Sequence, residues 1–372
     1  SDEDVEIQDA AIHGLAFVGG EKASRAVLAL AGQFDPDRDQ DRLELAVEAL
    51  ATIGLTPALE EAIKGGPHAS SMIAVEALAR IGGAEISGLL MAAFWQGDRD
   101  IQREIARALA TVGGEEAVEF FQDVLARHED GTVLKGALAF LGQKMRVEKA
   151  AGAFFEKLFH PYDDVKEAAL EACVALGGPE MAARFREMSR SEEPLERLIA
   201  IYALGRIDPE ANLETLRAAL EDEIPDIRKV ALEAVAGLCG MEGEGLRLLV
   251  SRLSDESREV RLAVVEQMGH CSLSECVPYL IQALDDSDDW VRIRAMESLG
   301  RSMAAEAVPK LVSLLDSPNK LVALKVVETL GDIGGNTAFR ALLDVLGSGD
   351  EELSGAAEAA ISKIQEEHGE DR

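Results

Sequence analysis

Asp288-Asp289-Trp290-Val291-Arg292-Ile293-Arg294-Ala295-Met296-Glu297-Ser298-Leu299-Gly300-Arg301 decides how the rest of the chain is read. Val291, Ala295 and Leu299 recur every fourth residue, the spacing of one apolar helix face. Asp288 and Asp289 suit a helix start, where a carboxylate accepts backbone N–H bonds, and Arg292 stands just inside it.

With Val291 as reference, the same pattern is a small apolar residue four positions on, a large one at eight and usually eleven, and often Gly at nine or twelve. It recurs at Ile7, Arg42, Ser70, Ile101, Val133, Val165, Glu196, Ile227, Val260, Val322 and Leu353, with most spacings at 31 residues. A steady period over the whole chain predicts a solenoid of stacked units. A second helical segment lies between copies, as in 276–284 and 307–315, with Pro278 and Pro309 near its start, where a missing N–H is tolerated. Gly19-Gly20, Gly82-Gly83, Gly113-Gly114, Gly177-Gly178 and Gly334-Gly335 follow the motif helix, where a left-handed cap favours glycine. The expectation is an all-α superhelix of about twelve helical hairpins, forming one array over residues 1–372.

The acidic turn with its following Arg, as in Asp226-Ile227-Arg228, and the Ala-Leu-Gly core, as in Ala203-Leu204-Gly205, resemble the HEAT repeat superfamily, closest to the short bacterial phycobilisome-lyase type. The resemblance covers essentially the whole chain. It implies that the motif helix lines the concave surface and its partner the convex one. It fixes function weakly, because such repeats serve scaffolds, adaptors, chaperones and a few enzymes.

Six residues precede Ile7, so the first unit is expected to begin with its second helix, with a longer chain or another element covering its N-terminal face. At the other end 365–372 reads as a charged tail. The rhythm breaks twice: 33–41 adds a polar loop expected to be mobile, and Gln143-Lys144-Met145-Arg146 replaces an apolar residue and Gly, where a bend is expected.

Composition narrows the partners. A formal charge of −32, from 37 basic and 69 acidic residues, repels phosphate backbones, so nucleic acid is not expected. No apolar run approaches the roughly 18 residues of a membrane span, and no secretory signal opens the chain. Four cysteines in 372 residues make no disulfide framework, which points to a reducing cytoplasm.

Candidate sites are read against the repeat. Arg197, Arg228, Arg261 and Arg292 recur at one position, with Lys166 as a substitute, and acidic turns precede several of them. Repetition assigns them to a polar ladder between neighbouring turns. Glutamate stands six residues past the reference in Glu48, Glu76, Glu171, Glu233, Glu266, Glu297 and Glu328, an acidic stripe interrupted at Arg107, Ala139 and Tyr202. It is either a solvated face, partly neutralised by Arg80 and Arg301, or a cradle for a basic partner segment. Ten of the sixteen aromatic residues fall between Phe94 and Phe185. Most suit the core, but Phe94, Trp95, Phe159 and Tyr162 lie at the turn edge, where exposed rings would form a binding hot spot.

Cys239, His270, Cys271 and Cys276 lack the spacing of a zinc site. The run 285–289 lacks the Gly and Glu of a calcium loop. Only one His-Glu pair, His128-Glu129, is present where hydroxylase relatives use several, and no phosphate loop or nucleophile elbow appears. The chain therefore reads as a non-enzymatic module for a protein or peptide, without cofactor or metal. The alternative is a bilin-lyase-type enzyme subunit or a chaperone for a pigment protein.

Overall fold

A computed structural model describes residues 2–35, 37–238, 243–271, 274–347 and 349–370. Among them there is no β-strand; helices succeed one another from Asp2 to Glu370. The fold is an α-solenoid. Contacts gather into two compact units, Ser1–Gly177 and Gly178–Arg372, each described by itself.

In the first unit the motif helices are Asp2–Val18, Gln40–Ile53, His68–Ile81, Arg99–Val112, Gly131–Leu138 and Asp163–Leu176. Between them run Gly20–Ala31, Pro57–Gly65, Ala84–Phe94, Val118–Arg127 and Ala151–Lys157. In the second unit they are Pro194–Ile207, Pro225–Ala236, Arg258–Cys271, Asp289–Arg301, Lys320–Ile333 and Glu351–Glu370. All twelve reference positions lie in these helices. Within each unit successive motif helices pack on one another more extensively than successive partner helices do. The motif helices thus form the more closely packed layer of each unit.

The four-residue spacing becomes burial: Val291, Ala295 and Leu299 are fully buried, as are Val165, Ala169 and Cys173, and Val322, Val326 and Leu330. The first copy departs from this. Ile7 is 64% exposed, together with Phe17 and Val18, and its helix buries Ile12 instead.

Glycines at nine and at twelve do different work. At twelve, Gly54, Gly82, Gly177 and Gly334 have φ between 63° and 86°, a conformation that an L side chain rarely adopts, and each ends its helix. Gly113 does not follow: its φ is −64°, so that pair needs no left-handed cap. At nine, the need is space. A Cβ on Gly142 would come within 2.5 Å of Ala172, one on Gly205 equally close to Ala234, and one on Gly331 within 2.7 Å of Ala360. Neighbouring motif helices cross at these points.

At the first break Phe34 is buried, and the Arg42 guanidinium lies 4.1 Å from its ring centroid. At the second break the helix opens into a π turn over Ala139–Lys144. Lys144 Nζ then donates to the carbonyls of Ala110, Thr111 and Gly113 at 2.7 to 3.1 Å, capping the end of the preceding motif helix. Residues 365–370, expected to be a tail, continue the last helix.

Stacking in the second unit is fixed by a ladder of arginines with one repeated geometry. Arg228 Nε and Nη2 donate to both Asp255 carboxylate oxygens at 3.0 and 2.7 Å, while Nη1 donates to Asp222 O at 2.7 Å. Arg197 meets Asp222, and Arg261 meets Asp286, in the same way. Each arginine thus caps the turn before its own helix and reaches forward to the next. Each aspartate also accepts the backbone N–H two residues on, from Ile224, Ser257 and Asp288. Burial opposes ionisation of Asp222 and Asp286, but the arginine and backbone donors prevail and hold both carboxyls below their ordinary range.

Candidate functional site

The turns before the motif helices of the first unit carry an aromatic ridge. Trp95 follows Ala84–Phe94 directly, and its ring meets Phe94 edge-on at 5.0 Å and His128 at 6.0 Å. The Arg127 guanidinium stacks 4.8 Å from the Trp95 centroid. Burial lowers the His128 pKa, favouring the neutral ring there. Two turns on from Trp95, Tyr162 lies beside the intervening Gly131 turn, 3.6 Å from where a Cβ would stand, with His160 5.2 Å from it and Phe155 6.3 Å from Phe159. Trp95, Phe159 and Tyr162 are 41%, 55% and 54% exposed. Phe94 differs from the expectation: it is fully buried, because its side of the helix faces the core where Trp95 turns outward.

On the motif-helix layer of the same unit, the helices at 68–81, 99–112 and 131–138 enclose an open trough of about 800 Å³. Met72, Ala110, Gly136 and Ala139 give it an apolar floor, and Asp100, Arg103, Glu104, Arg107 and Lys135 a rim of both signs. The rim charges are largely engaged: Arg107 Nε donates to Glu104 at 3.0 Å, Arg103 to Asp130 at 2.8 Å, and Lys135 to Asp164 at 2.9 Å. Arg107 was visible as an interruption of the acidic stripe. Arg103 and Lys135 were not, since nothing in their spacing separates them from ordinary surface charges.

The glutamates of the stripe all lie on the motif helices, on sides that are not buried. Some are neutralised. Arg80 serves Glu44 at 2.5 Å, Glu76 at 3.7 Å and Glu48 at 3.9 Å. Lys325 joins Glu297 and Glu328 at 3.4 and 2.8 Å. The expected Glu297 to Arg301 pair does not form. Arg294 takes Glu297 at 3.0 Å, while Arg301 donates to Ser298 Oγ. Among the described residues Glu233 and Glu266 are exposed and have no ion pair. Tyr202 Oη accepts from Arg206 at 2.6 Å.

Sequence reasoning missed Trp290, Leu321 and Leu195, which are 57%, 48% and 61% exposed. Each stands one position before a reference residue, where the other units carry Asp, Glu or Thr, or in one case Ala69. That contrast was the available signal. Among the described residues no three His, Cys, Asp or Glu side chains gather to hold a metal ion. Cys173 and Cys276 are buried, Cys271 Sγ lies 3.9 Å from Ala236 O, and Cys239 is outside the described residues. No described helix is long and apolar enough to cross a membrane.

The family model for HEAT repeats matches residues 246–320 and 277–362. The two stretches overlap and together span residues 246–362. They contain Arg261 with Asp286, and the helix that begins at Asp289. No curated protein matches the chain. Among solved structures it is similar to Kap121p, at 14% identity and TM-score 0.57, covering 93% of this chain and 46% of that one. It is also similar to Kap121p bound to the extreme C-terminus of the protein phosphatase Cdc14p, at 14% identity and TM-score 0.56, covering 94% and 46%. Kap95p, in a structure concerning its binding to RanGDP, matches at 13% identity and TM-score 0.57, covering 92% and 55%. The chain thus spans about half the length of these karyopherins, and at such identities the likeness shows the fold alone.

Proposed function

We infer that this chain is a docking module for a protein or peptide, working as a scaffold or adaptor, without chemistry of its own. The observation that carries this is the ridge of Trp95, Phe159 and Tyr162. These large rings stand on turns in a part of the chain where Phe94, Phe121, Phe140 and Phe154 are fully buried. Exposed aromatics held in place are the residues that dominate interface energetics. The trough at Arg107, with its apolar floor and rim of both signs, would accommodate the remainder of an extended segment. Glu233 and Glu266, joined by Glu297 and Glu328, favour a partner with a basic stretch, whose affinity would fall with salt. Solved karyopherin relatives include complexes with protein partners, which supports the class of ligand. The short bacterial repeat type, with cores such as Ala203-Leu204-Gly205, and a cytoplasmic setting belong to the same reading.

The test is quantitative co-purification from the chain's own cells. It compares the unaltered protein with Trp95→Ala/Phe159→Ala/Tyr162→Ala and with Glu233→Lys/Glu266→Lys/Glu297→Lys, each checked for an unchanged melting temperature. Loss of the same partner from the aromatic variant is the expected result. Full retention in both variants would refute the reading.

A further inference from the structure

The ladder of the second unit has one step without its acid. Asp222, Asp255 and Asp286 each receive two N–H bonds from the arginine of the preceding helix and one from the backbone two residues on. The next equivalent position, 31 residues after Asp286, is Ser317. It keeps half of the arrangement: Ser317 Oγ accepts from Asn319 N at 3.4 Å, the same two-residue turn. It cannot supply the other half, a carboxylate for Arg292. Arg292 instead folds back on Asp289 of its own helix, and its Nε is buried without a hydrogen-bond partner. Arg197, Arg228 and Arg261 each spend that Nε on the next turn's aspartate. The turns are nonetheless in contact here, because Asn319 donates its side-chain amide to Asp289.

We propose that Ser317 is a phosphorylation site, and that its phosphoryl group takes the place of the missing carboxylate opposite Arg292. A protein kinase would transfer the γ-phosphoryl group of a nucleoside triphosphate. The Ser317 Oγ–P bond forms, the bond from the γ-phosphorus to its bridging oxygen breaks, the diphosphate leaves, and the hydroxyl proton passes to the kinase's base. The product carries −1.5 to −2 charges near pH 7 and three strong acceptors, the chemistry that orders a segment beside an arginine.

The position suits the reaction. Ser317 is half-buried in the turn before Lys320–Ile333, outside any helix, and Pro318 keeps it from joining one. Neighbouring serines do not share these features. Ser313 donates its hydroxyl to Lys310 O at 2.6 Å at the end of the Val308–Val312 helix, where the dipole disfavours negative charge. A free anion is not an equivalent occupant: Asp289 and the charge of −32 oppose it, whereas a covalent phosphate is held in place. Asp289 retains Asn319 when Arg292 turns to the phosphate. The modified turn lies between the exposed Trp290 and Leu321, at the starts of the two helices it would join.

The experiment installs phosphoserine at 317 in the full chain and follows amide hydrogen exchange in Asp289–Arg301 and Lys320–Ile333. It is repeated with Ser317→Asp, and with each in an Arg292→Ala background. Exchange is expected to slow about tenfold with phosphoserine, and by less with Asp, as one or two charge-assisted bonds form. Both effects should vanish without Arg292. Unchanged exchange, or slowing that survives Arg292→Ala, overturns the proposal. Phosphopeptide mapping of the chain from its own cells adds the second readout: phosphate on Ser317 supports it, and phosphate confined to Ser313, or none, overturns it.

Discussion

Removing the Asp255 carboxylate should loosen the second unit more than any surface change can. Arg228 and Asp255 are the most enclosed ion pair of the ladder, their side chains 5% and 4% exposed. In Asp255→Ala the guanidinium stays buried and loses two charge-assisted bonds, keeping the carbonyls of Asp222 and Glu223 and a looser ion pair at 3.7 Å with the exposed Glu256. Two such bonds at about 1.5 to 3 kcal/mol each agree with the roughly 3 to 5 kcal/mol measured when one partner of a buried pair is deleted. Global unfolding is a poor assay, because stacked units need not unfold together. Hydrogen exchange reports each helix separately. A loss of about 3 kcal/mol accelerates exchange on the order of 100-fold, at about 1.4 kcal/mol per decade. This is expected in Pro225–Ala236 and Arg258–Cys271. Glu187→Ala, which removes the partner of Arg190 in a pair 77% and 81% exposed, should alter exchange by less than about fivefold. Arg228→Met with Asp255→Leu should recover much of the loss, since no charge is then left unpaired. Less than fivefold acceleration in Asp255→Ala would show that the ladder accompanies the stacking without holding it.

Two further outcomes follow from the same geometry. Gly331→Leu, whose Cβ would stand 2.7 Å from that of Ala360, should lower the melting temperature through overpacking worth about 1 to 3 kcal/mol, with partial rescue by Ala360→Gly. The second concerns acid. Asp222 and Asp286 have folded pKa values below the unfolded value of about 3.9, so their contribution is complete above that pH and lost as pH falls through the folded values. Asp286→Asn should therefore have a shallower decline of melting temperature below pH 4 than the unaltered chain, and parallel curves would contradict this.

The period of 31 was legible because it rests on one-dimensional information. Val291, Ala295 and Leu299 share a helix face whatever surrounds them, and the twelve copies reinforce one another. What depended on the third dimension was less legible. Phe94 and Trp95 are adjacent and chemically alike, yet one is fully buried and the other 41% exposed, a difference set by helix phase at the turn. Glu297 pairs with Arg294, three residues back on its own helix, and with Lys325 from the neighbouring helix rather than with Arg301, and no spacing along one helix reveals Lys325. The glycine pair at 113 resembles the others in sequence, but its backbone is set by packing, a Cβ on Gly113 falling 3.0 Å from the Ala117 methyl. Trp290 stands among charged neighbours, and only comparison with its mostly polar equivalents in other units singles it out.

The forward reach of the arginines gives the array a grammar that an engineer can use. Every ladder arginine holds the turn before its own helix and the turn before the next motif helix, so a whole unit can be removed without leaving a sentence unfinished. Deleting 228–260 would join Ile227 to Arg261, which would inherit the carbonyls of Asp222 and Glu223 from Arg228 and keep its own Asp286. A cut that does not run from one ladder arginine to the residue before a later one would strand a guanidinium. The chain's units are in this sense separable words with a fixed direction of reading.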